Sequence, residues 1–350
     1  MSTSTTTPLP KAPNSIILFH YHFSPYARRI VHYLTLRHIP YAQCLVTPIM
    51  PRPSLAALTL SYRRIPVLAI ESTIYIDTRL ILRVLETMDF PDALPPLSSR
   101  VPPQMKDDYA AMQILLSRWV VDAGVFMRAV SLMPADLPNL SDPRFIKDRE
   151  EFAGRPWGSR EARERGKPES VVAIGDVFGV LEGTLLRDGR EWLFKTEGPS
   201  MGDIEAFWPL DWLLSMPSAL PETYISATTH PKTFAWIHRF RTLFAASKKS
   251  LPKPLTLSDA DAPAVILSHV SSTSVPEAKV DPTDPLGLKA GEEVLVWPID
   301  TGASGRERGA LVRLGPGEVV VRKGNGVLVA FPRWGFRVVR AGKVEGKGKL

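Results

Sequence analysis

The apolar run Ile16–Tyr21 ends at Phe23-Ser24-Pro25-Tyr26-Ala27-Arg28-Arg29, and this junction constrains the chain more than any other segment. The run has the length and character of a strand, and Pro25 suits the first position of a helix, where an N–H would have no partner to lose. The sequence therefore predicts a helix over Pro25–Arg37, with Ile30, Val31 and Leu34 spaced to pack against a sheet. Strand Tyr41–Val46, a short helix Ser54–Leu58, strands Val67–Ile70 and Thr73–Ile76, and helix Thr78–Leu85 follow. A strand–helix–strand opening implies a parallel pair joined by a right-handed crossover.

Ser24 stands where unpaired backbone N–H groups and the positive end of the helix dipole stabilise an anion. One hydroxyl cannot do redox chemistry, but it can donate a hydrogen bond to a thiolate. Lowering a thiol pKa by two units takes about 2.7 kcal/mol. A hydrogen bond to a charged group contributes about 1.5–3 kcal/mol, and a helix terminus about 0.3–1 more. The bland alternative is that Ser24 only caps the helix. Tyr26 is the rival for the same role. Asp77-Thr78, opening the last helix of this region, offers N–H donors and a hydroxyl to a carboxylate; a plain helix cap is again the alternative.

Residues 16–88 resemble the N-terminal domain of the glutathione transferase superfamily. The segment from Phe23 to Arg29 resembles the Cys-Pro-Phe/Tyr-Ala-Gln-Arg segment of the omega class and the serine-containing segment of zeta-like classes, in a chain of fungal type. Ile65-Pro66-Val67-Leu68 resembles the family's Val-Pro-x-Leu, and Asp77-Thr78 stands where the family has Glu/Gln-Ser. The resemblance implies a thioredoxin-like fold and glutathione as co-substrate. It implies a cis-proline at Pro66, with the Ile65 backbone pairing with the cysteinyl unit and Asp77 and Thr78 holding the γ-glutamyl end. Asp77 shortens that reach by one methylene. A second match, Phe194-Lys195-Thr196-Glu197-Gly198-Pro199-Ser200-Met201-Gly202-Asp203-Ile204, resembles the family's G-x-x-P-S-x-A-D-I. Physically it is a capping box, with Ser200 and Asp203 satisfying each other's backbone.

The expected organisation is a disordered lead-in over 1–14, a thioredoxin-like glutathione-binding domain over 15–88, an all-helical domain over 104–250, a linker over 251–284 and a small β-rich domain over 285–342. In the helical block Tyr109, Met112, Leu116, Trp119, Ala123, Phe126 and Val130 form one stripe, Val171–Leu186 and Thr233–Phe244 repeat the style, and Ile204–Leu214 is apolar nearly all round, as in a central buried helix. Arg144–Lys167 reads as a solvated face or loop. In the tail, Glu293–Pro298, Ala310–Leu314, Glu318–Arg322, Gly326–Phe331 and Phe336–Val339 read as five strands between glycine turns, a small SH3-like β-barrel.

A single cysteine, Cys44, allows no internal disulfide, and no apolar run approaches the ~20 residues of a bilayer span, so a cytoplasmic protein is expected. The net charge of +7 is scattered, and the tail's Arg313, Arg322, Lys323, Arg333 and Arg337 read as solvated, so nucleic acid is an unlikely partner. His20 and His22 lack a third ligand for a metal. The expected activity is attack of a glutathione thiolate on a hydrophobic electrophile, as detoxifying conjugation or as isomerisation. A homodimer is implied by the resemblance alone. The alternative is a non-catalytic, transferase-like scaffold acting through its C-terminal β-domain.

Overall fold

The computed structural model describes residues 9–156, 160–272 and 277–343. Strand β1 (Ile16–His20) leads into helix α1 (Pro25–Leu36), β2 (Ala42–Leu45), α2 (Pro53–Ala57), β3 (Val67–Ile70), β4 (Thr73–Ile76) and α3 (Thr78–Thr87). β1 pairs parallel with β2 and antiparallel with β3, and β4 closes the β4-β3-β1-β2 order antiparallel to β3. That order, with α1 as the crossover, is the expected thioredoxin-like arrangement.

The helical block contains α4 (Lys106–Val121), α5 (Val125–Ser131), α6 (Pro143–Ala153), α7 (Arg160–Arg165), α8 (Lys167–Val180), α9 (Met201–Leu214) and α10 (Pro231–Ser250). α9 is buried along almost its whole length and begins with the expected capping box: the Asp203 N–H donates to Ser200 Oγ and the Ser200 N–H to Asp203 Oδ2, at 3.4 and 2.8 Å. The expected stripe from Tyr109 to Val130 is two helices, because the chain turns at Gly124 with φ +92°. Met112 lies on the outside at 38% exposure, since α4 carries apolar residues on more than one face. One 18-residue window within Pro103–Ser131 reaches the hydropathy of a membrane span, but that stretch is broken between α4 and α5, and Leu116, Val120, Val125, Phe126 and Ala129 are buried in the helical core. Arg144–Lys167 is not simply loop: Asp148 on α6 is buried, accepting from the Met50 N–H at 3.1 Å and from Arg63 at 2.7 Å.

Past α10 the expected linker contains structure. β5 (Leu255–Leu257) adds parallel to the outer edge of β2, α11 (Asp261–Ser268) buries Ala262, Val265 and Ile266, and β6 (Lys279–Val280) pairs with β8. Proline- and serine-rich composition hid these elements, because an edge strand takes its hydrogen bonds from a distant segment and needs little periodicity of its own. Five strands follow: β7 (Glu293–Pro298), β8 (Glu307–Leu314), β9 (Glu318–Arg322), β10 (Leu328–Pro332) and β11 (Phe336–Arg340). Their order, β11-β7-β8-β9-β10, returns the last strand beside the first, as in a small SH3-like barrel. They are nonetheless no separate unit. β10 pairs parallel with β4, Leu328 opposite Thr73 and Ala330 opposite Tyr75, so eleven strands form one sheet.

Alternation along the strands sorts the cores. Ile16, Leu18, Leu68 and Ile70 point to the helical block, whereas Ile17, Phe19, Val67, Ile74 and Ile76 share a second core with Val294, Val296, Val321, Val329 and Phe331 from the tail. Side chains on one strand thus glue the first domain to two different neighbours. The lead-in is also anchored where it is described: Ala12 is buried, and Asn14 donates to the Pro40 carbonyl at 3.0 Å. Residues 1–8 of that expected lead-in lie outside the described residues.

Candidate functional site

Strand register brings the three N-terminal motifs to one end of the sheet. Val67 lies opposite Phe19 of β1 and opposite Ile76 of β4. Ser24, just after β1, Ile65-Pro66, just before β3, and Asp77-Thr78, just after β4, therefore emerge side by side. The Ile65–Pro66 peptide is cis.

Ser24 caps α1: its Oγ accepts from the Ala27 N–H at 3.3 Å, and the residue is 2% exposed. That long bond uses one lone pair and leaves the hydroxyl proton to donate. Tyr26 goes elsewhere. Its ring packs against Phe126 and Trp208, with centroids 4.7 and 4.8 Å away, in an aromatic cluster with Trp212 at the junction of the two domains. Burial pushes its phenol pKa well up, so Tyr26 is a neutral donor and not a tyrosinate.

Asp77 caps α3 with φ +73°, accepting from the Arg79 N–H at 2.9 Å. The Arg79 side chain folds back onto both Asp77 oxygens at 3.1 Å and also donates to both oxygens of Asp122, at 3.0 and 3.1 Å. Burial would raise the Asp77 carboxyl, but the paired Arg79 guanidinium outweighs it and holds the group below the usual carboxylate range. Thr78 Oγ1 accepts from Arg29 at 2.7 Å. Arg29, fully buried on α1, also donates to Ser117 of α4 at 3.0 Å and pairs with Glu205 of α9, so one guanidinium ties both helix N-termini to the helical block. Burial raises the Glu205 carboxyl despite that pairing.

Sequence reading missed what the tail brings. Because β10 runs parallel to β4, its C-terminal end reaches the same edge, and the turn that follows carries Trp334, whose Nε1–H donates to Asp122 Oδ2 at 2.8 Å. The β7–β8 loop reaches the other flank: Arg64, next to Ile65, donates to the Thr301 carbonyl through Nε at 3.0 Å and pairs with Asp300. Gly305 of that loop lies so close to the Ser61 carbonyl that a Cβ would not fit. Arg79 follows the Asp77-Thr78 motif directly and could have been suspected; no local signal marks Asp122, Trp334 or Asp300. Of the tail's basic residues, Arg313 pairs with Glu318 at 2.6 Å, Lys323 with Glu307 at 2.7 Å and Arg333 with Asp284 at 3.1 Å.

Two clefts lie away from these motifs. One of about 400 Å³ runs between Glu86, Ser98, Tyr109 and Phe194, and one of about 320 Å³ between Leu213, Met216, Leu220 and Phe234. Among the described residues no cluster of metal-ligating side chains occurs.

Residues 18–91 match a family described as "Glutathione S-transferase, N-terminal domain", and residues 128–249 match a domain of unknown function, DUF7962. Among solved structures, a GST-like protein from Pseudomonas syringae is 25% identical, with 93% of this chain covering 99% of that one at a TM-score of 0.63. At that coverage the likeness extends through most of the C-terminal strands. The beta-etherase LigF from Sphingobium sp. strain SYK-6 is 17% identical, with 67% of this chain covering 99% of that one at a TM-score of 0.50, a likeness of fold. No curated protein matches the chain in sequence.

Proposed function

Because the chain belongs to the glutathione S-transferase superfamily through its N-terminal domain, we propose that it binds reduced glutathione at the shared sheet end and activates the thiol for attack on a hydrophobic electrophile. The observation that carries this reading is the convergence of Ser24, cis-Pro66 and Asp77-Thr78 at that end, through the Phe19–Val67–Ile76 register. The Ser24 hydroxyl donates to the sulfur while the α1 terminus stabilises its charge. The backbone of Ile65 pairs with the cysteinyl unit, and Asp77 and Thr78 meet the γ-glutamyl end. The electrophile would enter at the domain junction beside Tyr26, whose ring packs on the buried Phe126 and Trp208. Sulfur then bonds to carbon, and either a leaving group departs with its electron pair or the adduct is protonated; isomerisation would reverse the addition after a double bond has shifted. Tyr26, a neutral donor, serves the electrophile better than the sulfur. A reduced co-substrate supports the reading of a cytosolic protein, and conjugation of a hydrophobic electrophile supports a detoxifying role.

The test is conjugation of a small aromatic electrophile with and without Ser24→Ala, alongside calorimetry with glutathione. Losing one hydrogen bond to a thiolate should slow kcat/KM about 10- to 100-fold while binding persists. Unchanged rates would remove Ser24 from the mechanism, and no heat of binding at about ten millimolar glutathione, a bound of roughly −3 kcal/mol on affinity, would defeat the whole reading. The non-catalytic scaffold remains the second reading. It is favoured by one observation: Arg79 and Arg29 already occupy acceptors on Asp77 and Thr78.

A further inference from the structure

We propose that the C-terminal segment completes the glutathione site, with Arg118, Asp122 and Trp334 receiving the α-amino-acid end of the γ-glutamyl unit. The inference rests on the proposed glutathione reading and adds to it residues from α4 and from the β10–β11 turn. Three observations converge. First, the parallel pairing of β10 with β4 delivers Trp334 to the edge where Asp77 opens α3. Second, the Trp334 indole, 54% exposed, is held in place from two sides: its N–H donates to Asp122 at 2.8 Å, and the Arg118 guanidinium stacks 4.1 Å from the ring. Third, among the described residues the Arg118 guanidinium has no ion pair or hydrogen bond, although Asp77, Arg79 and Asp122 are paired with one another.

A guanidinium held over an indole face by cation–π attraction spends no N–H on the contact, and its N–H edge can match a carboxylate in a bidentate fork. Asp122 shares the Arg79 guanidinium with Asp77 and accepts from Trp334, which leaves about one of its four acceptor sites for an ammonium. The set Asp77, Arg79, Arg118 and Asp122 is neutral overall. It therefore suits a group that brings one carboxylate and one ammonium together, as an α-amino acid does. Trp334 acts as a positioning residue: it orients the Arg118 fork and the Asp122 carboxylate relative to each other.

Binding to the full chain is measured by calorimetry with two probes: glutathione, and 4-aminobutyryl-cysteinyl-glycine, which lacks only the α-carboxylate. Wild type should bind the second probe about tenfold more weakly, the worth of one charge-assisted hydrogen-bonded pair. Arg118→Met should weaken glutathione by about the same factor and bind the two probes equally. Trp334→Phe keeps an aromatic platform but loses the donor to Asp122, and should narrow the preference without abolishing it. If Arg118→Met binds glutathione as wild type does, or still prefers it over the truncated probe, this inference falls and the glutathione reading stands. If wild type binds neither probe, both fall. Arg118 is exposed, so its variant should keep the wild-type melting temperature, and a loss of binding then reports on the site.

Discussion

Two helix N-termini meet at the candidate site, and they are prepared differently. At α1 the cap is a neutral hydroxyl making one long bond to Ala27 N–H at 3.3 Å. At α3 the cap is a carboxylate gripped by Arg79 on both oxygens and linked on to Asp122 and Trp334. The first leaves its dipole uncompensated until an anion arrives. The second carries its own ions, so a ligand there must exchange partners with them and cannot merely add charge. A thiolate suits the first end and a zwitterion the second. Arg29 joins the two: it stems from α1 and donates to Thr78 of α3.

Cutting that joint should have the largest effect. Arg29→Met strands Glu205 in the core without its counter-ion, and should destabilise the fold by about 3–5 kcal/mol in denaturant titration at neutral pH. Burial already raises the Glu205 carboxyl, so in the variant the loss should shrink on acidification as Glu205 takes up a proton. A constant loss across pH would mean that packing and not charge is at stake.

The α3 end should respond less, and its loss too should shrink in acid, for a different reason. Asp77→Asn keeps a capping acceptor but surrenders the charge, at a cost of about 1 kcal/mol at neutral pH. The Asp77 pKa is held low in the folded protein, so its contribution is fully present above the ordinary carboxylate range and disappears as pH falls through the folded value. Wild type and variant should therefore converge in acid; a gap that persists there would refute the ionic character of this cap.

The smallest change is expected at α1. Ser24→Gly removes the hydroxyl yet retains a residue tolerated at a helix start, so thermal unfolding should move by only a few tenths of a kcal/mol. A drop of 2 kcal/mol or more would show Ser24 to be chiefly a structural cap and would erase the contrast between the two ends.

Much of the first domain was legible because its signals are local. A strand ending in Ser24-Pro25, the Ile65-Pro66 pair and the Asp77-Thr78 cap each depend on neighbours a few residues away, and the register then sets them side by side. The buried helix α9 and its Ser200–Asp203 box were legible for the same reason. The two-helix break at Gly124 was missed because apolar residues on several faces of α4 imitate a continuous stripe. Tyr26 looked equivalent to Ser24 in a linear reading, and only the packing of Phe126 and Trp208 around its ring separates their roles.

The C-terminal strands show the limit most clearly. Alternating residues such as Val319 and Val321, or Val327 and Val329, announce strands by themselves, and the glycine turns between them announce hairpins. Nothing in either segment says that β10 will lie parallel to β4, more than 250 residues earlier in the chain. Backbone hydrogen bonds between strands are chemically alike whatever the sequence, so the choice of partner rests on which buried faces can be covered together. The sequence alone determined most of the elements, the helix caps and the glutathione-transferase character of the first domain, all written in short-range chemistry. Tertiary structure alone decided that the tail extends the first sheet and puts Trp334 beside Asp122, because that outcome depends on burying Ile74, Ile76, Val329 and Phe331 in one core.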